Sequence, residues 1–441
     1  MTEKKEIKVG LIGFGTVGSG LAEVLYAQNQ RLSRKTGADI ILAKVADTRI
    51  EALPEKFSAV ELVRDADLII NDPAIDIVVE LIGGIEPAKT FILKAIANGK
   101  HVVTANKALV SQHGMEIFEA AAAKNVEVGF EASVGGGIPV IKSLKEGLVA
   151  NKILSIMGIM NGTANFILNK MTAHGTPFAE VLKEAQAKGY AEADPTYDVE
   201  GIDTAHKLVI LMTMAYGMKM SLNDVSIEGI SQIDPIDIDF AHEFGYKIKL
   251  LAISNNHGDT VEARVHPTMV PEKHMLANVN GAYNGFLFTG DMVEDVLLYG
   301  YGAGKMQTGS AVAADVVDIS RNIINNCINR VPCLSYLPDE IKPRAITPMA
   351  NLRCPYYFRI SALDKPGVLS TIAGILAKHN ISIESVLQKG RSKKAGTVPV
   401  VITTYEAQES AVQLALAEID AKDFCSAKTV KIRIMVDHDE N

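Results

Sequence analysis

The chain has 441 residues, 48% of them hydrophobic and 22% charged, and a formal net charge of −8 at pH 7. At ~100–200 residues per domain this length suits two or three domains, and a net negative chain argues against nucleic acid or an anionic membrane as partner. No apolar run approaches the ~18 residues of a membrane helix, the first residues lack a signal-peptide core, and four scattered cysteines and ten histidines have neither zinc nor redox spacing, so we expect a cytoplasmic protein without a transition metal.

Ile7 to Ile12 reads as a short buried strand that runs into Gly13-Phe14-Gly15-Thr16-Val17-Gly18, with a helical pattern directly after it. Strand, G-x-G-x-x-G and helix in that order let the backbone approach a pyrophosphate at a helix N-terminus. The alternative is a glycine-rich turn in a nucleotide-free α/β domain. A second strand, Ile40 to Val45, ends at Ala46-Asp47, where such a fold places the carboxylate that binds a ribose hydroxyl. Lys44 and Arg49 flank Asp47 and suit a 2′-phosphate, which leaves both NAD and NADP open. Asp76 to Ile82 is the next strand, Pro87 to about Asn98 a helix stopped by Gly99, and His101 to Thr104 another strand. Its carboxyl-end loop carries Asn106 and Lys107. Ligands of open parallel sheets sit beyond such ends, so Lys107 is expected to face nicotinamide or substrate, against the alternative of a solvated loop lysine.

Glu127 to Glu131 reads as a further strand, with the domain crossover near residue 131. The turn Ala132 to Pro139 follows, and then a helical stretch. Its three successive glycines permit unusual φ values that aim carbonyls at an ion or N–H groups at an anion, and a bare turn is equally open. Ile153 to Ile159 is a strand, after which Asn161, Thr163 and Asn165 suit either capping or a small polar substrate. Lys188 to Lys207 then gathers carboxylates around Asp194-Pro195, a good helix start. Counted from there, Glu200, Asp203 and Lys207 share one helix face, and the apolar turns beyond predict a buried helix. Burial and a carboxylate neighbour push the Lys207 amine in opposite directions, which suits a proton donor or acceptor. The plainer reading is an ordinary Asp203–Lys207 helix pair.

Taken together, GFGTVG, TANK, EASVGGGIP, NGTANF and KGYAEADPTYDVEGIDTAHK resemble the homoserine dehydrogenases in order and approximate spacing. The resemblance implies reduction of L-aspartate 4-semialdehyde to L-homoserine with NADPH or NADH, in threonine and methionine biosynthesis. It implies Lys207 as proton donor and Lys107 as second catalytic lysine, with Glu192, Asp203 and Gly189 at the substrate. The cofactor contacts it implies are Gly13, Phe14, Gly15, Thr16, Val17, Gly18, Asp47, Arg49, Thr104, Lys107 and Gly302. Glu131 with the carbonyls of Val134, Gly136 and Ile138 would hold a monovalent cation, usually sodium. Past Tyr301-Gly302-Ala303-Gly304 the chain returns, and the helix from Thr308 to Asn325 is expected to pack on the cofactor domain. A phosphorylating semialdehyde dehydrogenase would need a cysteine nucleophile, and no cysteine precedes Cys327.

After Arg330 a proline-dotted connector reads as a semi-rigid spacer. Tyr356 to Leu363, Val368 to His379, Ile381 to Gln388, Val398 to Tyr405, Ala411 to Ile419 and Lys428 to Met435 then read strand, helix, strand, strand, helix, strand, the ferredoxin-like order. The turn at Asp364 to Leu369 resembles ACT domains, which implies an amino-acid effector, most naturally threonine, at Asp364, Gly367, Val368 and Leu369. A dimerisation module without a ligand is the alternative. The expected architecture is α/β: a Rossmann-type domain at 1–130 completed by a returning helix at about 305–326, and an α+β substrate and oligomerisation domain at 131–304. A linker at 331–352 and an ACT-like domain at 353–441 complete it, in a homodimer or homotetramer. A catalytically inactive nucleotide-binding amino-acid sensor is the alternative function, and the presence of both lysines tells against it.

Overall fold

The computed structural model describes residues 4–388 and 396–436. Six parallel strands, β1 (Lys5–Ile12), β2 (Ala38–Ala46), β3 (Glu61–Val63), β4 (Ile77–Glu80), β5 (His101–Thr104) and β6 (Val128–Gly129), lie in the order β3-β2-β1-β4-β5-β6. This is the doubly wound order of dinucleotide-binding sheets. Successive residues of β4 and β5 feed different cores. Val78 and Val102 pack with α2 (Ala88–Ala97) and α3 (Lys107–Lys124), while Val79 and Val103 pack towards α1 (Thr16–Ala27). Helices on both faces explain why these strands are apolar without alternation. Helix α3 fills the crossover from β5 to β6, a segment in which the sequence reading had placed no element.

The next body is an antiparallel sheet of β7 (Ile153–Ile159), β8 (Tyr246–Asn255), β9 (Arg264–Pro271), β10 (Tyr283–Gly290) and β11 (Glu294–Tyr301), ordered β11-β10-β7-β8-β9. Helices α4 (Gly162–His174), α5 (Phe178–Ala187) and α6 (Ile202–Tyr216) accompany it, and α6 is buried without interruption from Asp203 to Tyr216. Helix α7 (Lys305–Asn325) then returns to α1. The two meet through glycine, since a Cβ on Gly309 would lie 2.6 Å from the Gly20 carbonyl carbon and one on Gly20 would collide with the Lys305 carbonyl.

Three local expectations are corrected. The helix expected from Asp194 is two: Asp194 Oδ1 accepts from the Thr196 N–H at 3.1 Å, and one helical turn, Thr196–Val199, follows Pro195 and stops at Glu200. Gly201, at φ +79°, reverses the backbone before α6, so Glu200 does not share a helix face with Asp203 and Lys207. The strand expected over Glu127 to Glu131 keeps only Val128–Gly129, because Glu131–Ser133 coils into a 3₁₀ turn. The connector is not a free spacer: Lys342–Pro343 pairs with Met218–Lys219, and Ala345–Ile346 with Thr260–Val261.

The last body runs β12 (Tyr356–Leu363), α8 (Val368–Lys378), β13 (Ile383–Gln388), β14 (Thr397–Thr404), α9 (Glu409–Asp420) and β15 (Val430–Ile434), with strands ordered β15-β12-β14-β13. Its edge strand β15 pairs in parallel with β9, Thr268 opposite Arg433 and Met269 opposite Ile434. The two sheets thus join into one of ten strands. Among the described residues no helix is long and apolar enough to cross a membrane, and all four cysteines are free thiols.

Candidate active site

Three elements converge where the first two bodies meet. Asn106 caps α3 by accepting from the Leu109 N–H at 3.1 Å, which sets Lys107 at the helix start. Helix α6 carries Asp203 and Lys207 one turn apart. Asn161 caps α4 through its side-chain oxygen, 2.8 Å from the Ala164 N–H, and its amide nitrogen donates to Asp198 Oδ1 at 2.7 Å and Asp203 Oδ2 at 2.8 Å. Lys207 Nζ donates to Asp203 Oδ2 at 2.7 Å and to the Met160 carbonyl at 2.6 Å. Lys107 Nζ stands 2.6 Å from Asp203 Oδ1. One carboxylate therefore faces two ammonium groups, one delivered by each body.

The two lysines differ in environment. The Lys107 side chain is 41% exposed and that of Lys207 only 8%. The charge of Asp203 raises the Lys107 pKa, with smaller help from Asp198 and Glu192. Burial lowers that of Lys207, and Asp203 offsets only part of the effect. Burial also opposes ionisation of Asp203, but the two ammonium groups outweigh it and hold the carboxyl well below the usual range. The two lysines on this one carboxylate are thus shifted in opposite directions, Lys107 up and Lys207 down.

Glu192 lies exposed on the loop between α5 and the Thr196 turn, and Gly189, at φ +72°, turns that loop. Thr163 and Asn165 serve the scaffold. The Thr163 hydroxyl donates to the Tyr190 carbonyl at 2.6 Å, and the Asn165 amide donates to the carbonyls of Val279, Gly281 and Tyr283, each at 3.1 Å. Two further groups lay outside the sequence reading. Asp198 holds Asn161, a link its position one residue inside the broken helix does not reveal. His206, buried beside the pair, bonds Ser111 Oγ through Nδ1 at 2.6 Å and stacks on Tyr197.

The glycine turn fits a dinucleotide by the spaces it leaves. Gly13 sits at φ +98°, and a Cβ there would be 2.8 Å from the Leu81 carbonyl oxygen, while one on Gly18 would strike the Gly13 carbonyl. On Gly15 a Cβ would meet only the Arg49 guanidinium, at 3.9 Å, so this side of the turn is open. Phe14, Thr16 and Val17 complete the turn into α1. Asp47 Oδ2 accepts from the Phe14 N–H and Oδ1 from the Arg49 N–H, both at 2.7 Å. Burial works against its ionisation, but these donors hold its pKa below the ordinary carboxylate value. Lys44 is committed to Glu61 at 3.1 Å and Asp72 at 3.0 Å. At the neighbouring strand ends, Thr104 Oγ1 donates to the buried Glu80 at 2.7 Å, and the other Glu80 oxygen accepts from the Ile82 and Gly83 N–H groups. Glu80 is a third group that the sequence reading passed over, since within an apolar strand only its charge sets it apart.

The second glycine turn has successive left-handed residues, Gly135 at φ +79° and Gly136 at φ +56°, between the carbonyls of Val134 and Ile138. The Glu131 carboxylate accepts from the N–H groups of Ile141 and Lys142 at 2.8 and 2.9 Å. Burial, with the charge of Asp315 beside it, pushes its pKa up to about 7. A Cβ on Gly136 would collide with Gly302, so these two glycines let the turn and the loop before α7 touch. In the last body Asp364 to Leu369 occupy the exposed turn into α8, with Gly367 at φ +92°.

A family model described as "Homoserine dehydrogenase" matches residues 139–317, one described as "Homoserine dehydrogenase, NAD binding domain" matches 13–131, and an ACT domain model matches 356–422. A homoserine dehydrogenase of Neisseria gonorrhoeae is 45% identical over 435 residues, covering 99% of this chain and 100% of that one. Another, of Pseudomonas aeruginosa, is 45% identical over 430 residues, covering 98% and 99%. The crystal structure of a homoserine dehydrogenase from Thiobacillus denitrificans superposes with a TM-score of 0.92 at 47% identity, covering 98% of each chain.

Proposed function

We infer the roles of individual residues from one premise: the chain belongs to the homoserine dehydrogenase family, the NAD(P)-dependent oxidoreductases that interconvert L-aspartate 4-semialdehyde and L-homoserine. The observation that carries the assignment of roles is the single buried carboxylate of Asp203 held between Lys207 and Lys107. When bound, the nicotinamide supplies or accepts the hydride. In the reducing direction negative charge grows on the aldehyde oxygen, and Lys207 delivers a proton to it. Lys107 keeps its positive charge and stabilises the same oxygen. Its exposure brings solvent to the edge of the ammonium–carboxylate cluster that holds the donor. Glu192, on the loop turned by Gly189, binds the substrate's amino end, and Asn161 with Asp198 fixes the carboxylate of Asp203.

Asp47 receives a ribose hydroxyl and Arg49 a 2′-phosphate, with Lys44 already paired elsewhere, so NADPH and NADH are both accommodated. Thr104 and Gly302 border the nicotinamide. A monovalent cation, most naturally sodium, suits the second glycine turn, because carbonyls of Val134, Gly136 and Ile138 with Glu131 form a hard, oxygen-only donor set. The last body senses threonine at Asp364, Gly367, Val368 and Leu369, where a helix N-terminus suits a carboxylate. Strand β13, at the sheet edge among the described residues, suits a homodimer or homotetramer, and the four free thiols suit the cytoplasm. The inactive-sensor alternative has no support from the comparisons or from a site that keeps both lysines. The test is oxidation of NADPH and NADH by the purified protein with L-aspartate 4-semialdehyde, each with and without threonine. Turnover with at least one cofactor, lowered by threonine, is expected. A folded protein that binds cofactor without turnover contradicts the catalytic reading, and turnover indifferent to threonine contradicts the sensing.

A further inference from the structure

Thr204 Oγ1 and His206 Nε2, beside Asp203, are buried without a hydrogen-bond partner among the described residues, and one buried amide close by lacks a partner on both of its polar atoms. Asn284, on β10 opposite Gly300 of β11, is 1% exposed, and neither its side-chain nitrogen nor its oxygen has a hydrogen-bond partner among the described residues. Nearby Asn165, equally buried, donates to three carbonyls and accepts from Lys249 at 3.2 Å, so the region is not short of partners in general. Asn284 is walled in by glycine backbone. A Cβ on Gly302 would collide with the Asn284 amide, one on Gly162 would lie 3.5 Å from its oxygen, and one on Gly136 would collide with Gly302 in turn.

These three glycines belong to segments with different attachments. Gly162 opens α4 beside Asn161. Gly136 lies in the second glycine turn, whose Gly137 N–H donates to the Tyr301 carbonyl at 3.2 Å. Gly302 starts the loop that leads, through Gly304 at φ +126°, into α7 and so to α1 behind the dinucleotide turn. An amide that is closed off and unpaired costs stability, and such a cost persists where another state of the protein satisfies the group. Loop backbone offers both a donor and an acceptor to match the amide.

We propose that Asn284 is a positioning residue for the cofactor: when the cleft closes on a bound dinucleotide, its amide pairs with the backbone of the Gly302-Ala303-Gly304 loop and fixes that loop against the nicotinamide end. This rests on the reading that Gly302 borders the cofactor. It makes the unliganded enzyme less stable at this point than an apolar side chain would, in exchange for tighter closure.

The test pairs N284L, which keeps the heavy-atom skeleton but is bulkier and carries no polar atoms, with N284A. For each, the unliganded melting temperature and the NADPH dissociation constant are measured. For N284L NADPH binding weakened about tenfold is expected, the size of one or two net hydrogen bonds, with an unliganded melting temperature within a few degrees of wild type because relief of the unpaired amide offsets the added bulk. N284A is expected to fold and to bind as weakly. A fall of several degrees in N284L with an unchanged dissociation constant, or failure of both variants to fold, overturns the proposal by showing that the amide serves the unliganded fold. Wild-type protein that binds neither NADPH nor NADH overturns the cofactor reading itself, and the proposal with it.

Discussion

At the scale of single residues the site turns on the division of charge around Asp203. Its carboxylate raises the affinity of both neighbouring amines for a proton, so its replacement by asparagine removes that support while burial still acts on Lys207. The reductive reaction needs Lys207 protonated and is lost as pH rises through the donor's pKa. In D203N that loss should move to lower pH by about one unit or more, together with a lower maximal rate. A pH–rate profile of kcat for the two proteins checks this, and a loss at unchanged or higher pH would contradict the assigned roles. The Asp203–Lys207 pair and the first glycine turn were legible in the sequence from their local spacing, and Lys107 from its place beyond a strand's carboxyl end, but the meeting of Lys107 with Asp203 was not. Asp198 and His206 were not, because their partners, Asn161 and Ser111, are distant in the chain and become neighbours only through packing.

At the scale of elements, what the sequence conveyed well were strands and helices with long apolar patterns. It conveyed poorly the places where tertiary contacts override them. Gly201 breaks a run that looks helical throughout, and Glu131 leaves its strand because the Glu131 N–H donates to Asp315 on the returning α7, 2.8 Å away. The join between β9 and β15 was illegible for the same reason, since an edge strand carries no mark of its partner. Its side chains explain the join. Arg433 is 2% exposed and donates to Glu228 of the substrate body at 2.9 and 2.7 Å and to Glu409 of its own at 3.0 Å, while Lys431 also pairs with Glu409. A second link runs from Arg359 to Asp237, whose carboxylate accepts from Tyr357 as well. Burial works against ionisation of Glu409, but Arg433 and Lys431 outweigh it and lower its pKa to about 2. With a folded pKa below the unfolded one, Glu409 stabilises the fold above its ordinary pKa and loses that contribution as pH falls towards about 2. Glu409→Ala leaves Arg433 short of a counter-charge and should cost about 3–5 kcal/mol. Denaturant titration at neutral pH measures this, and a change under about 1 kcal/mol would show that Glu228 alone suffices.

At the scale of the whole molecule the three bodies form one connected object. The returning α7 ties the substrate sheet to the cofactor helix α1, and the ten-stranded sheet ties the substrate body to the ACT-like body. The proposed catalytic site lies where the first two bodies meet, with Lys107 from one and Lys207 from the other on a common carboxylate. The most direct test of that account is Lys207→Ala, measured for turnover of L-aspartate 4-semialdehyde and, on the same preparation, for NADPH affinity. Loss of the proton donor should lower kcat by about 10²–10⁴-fold while the NADPH dissociation constant stays within about twofold of wild type, because the dinucleotide turn lies in the other body. Turnover that survives the substitution would contradict the central claim that Lys207 delivers the proton.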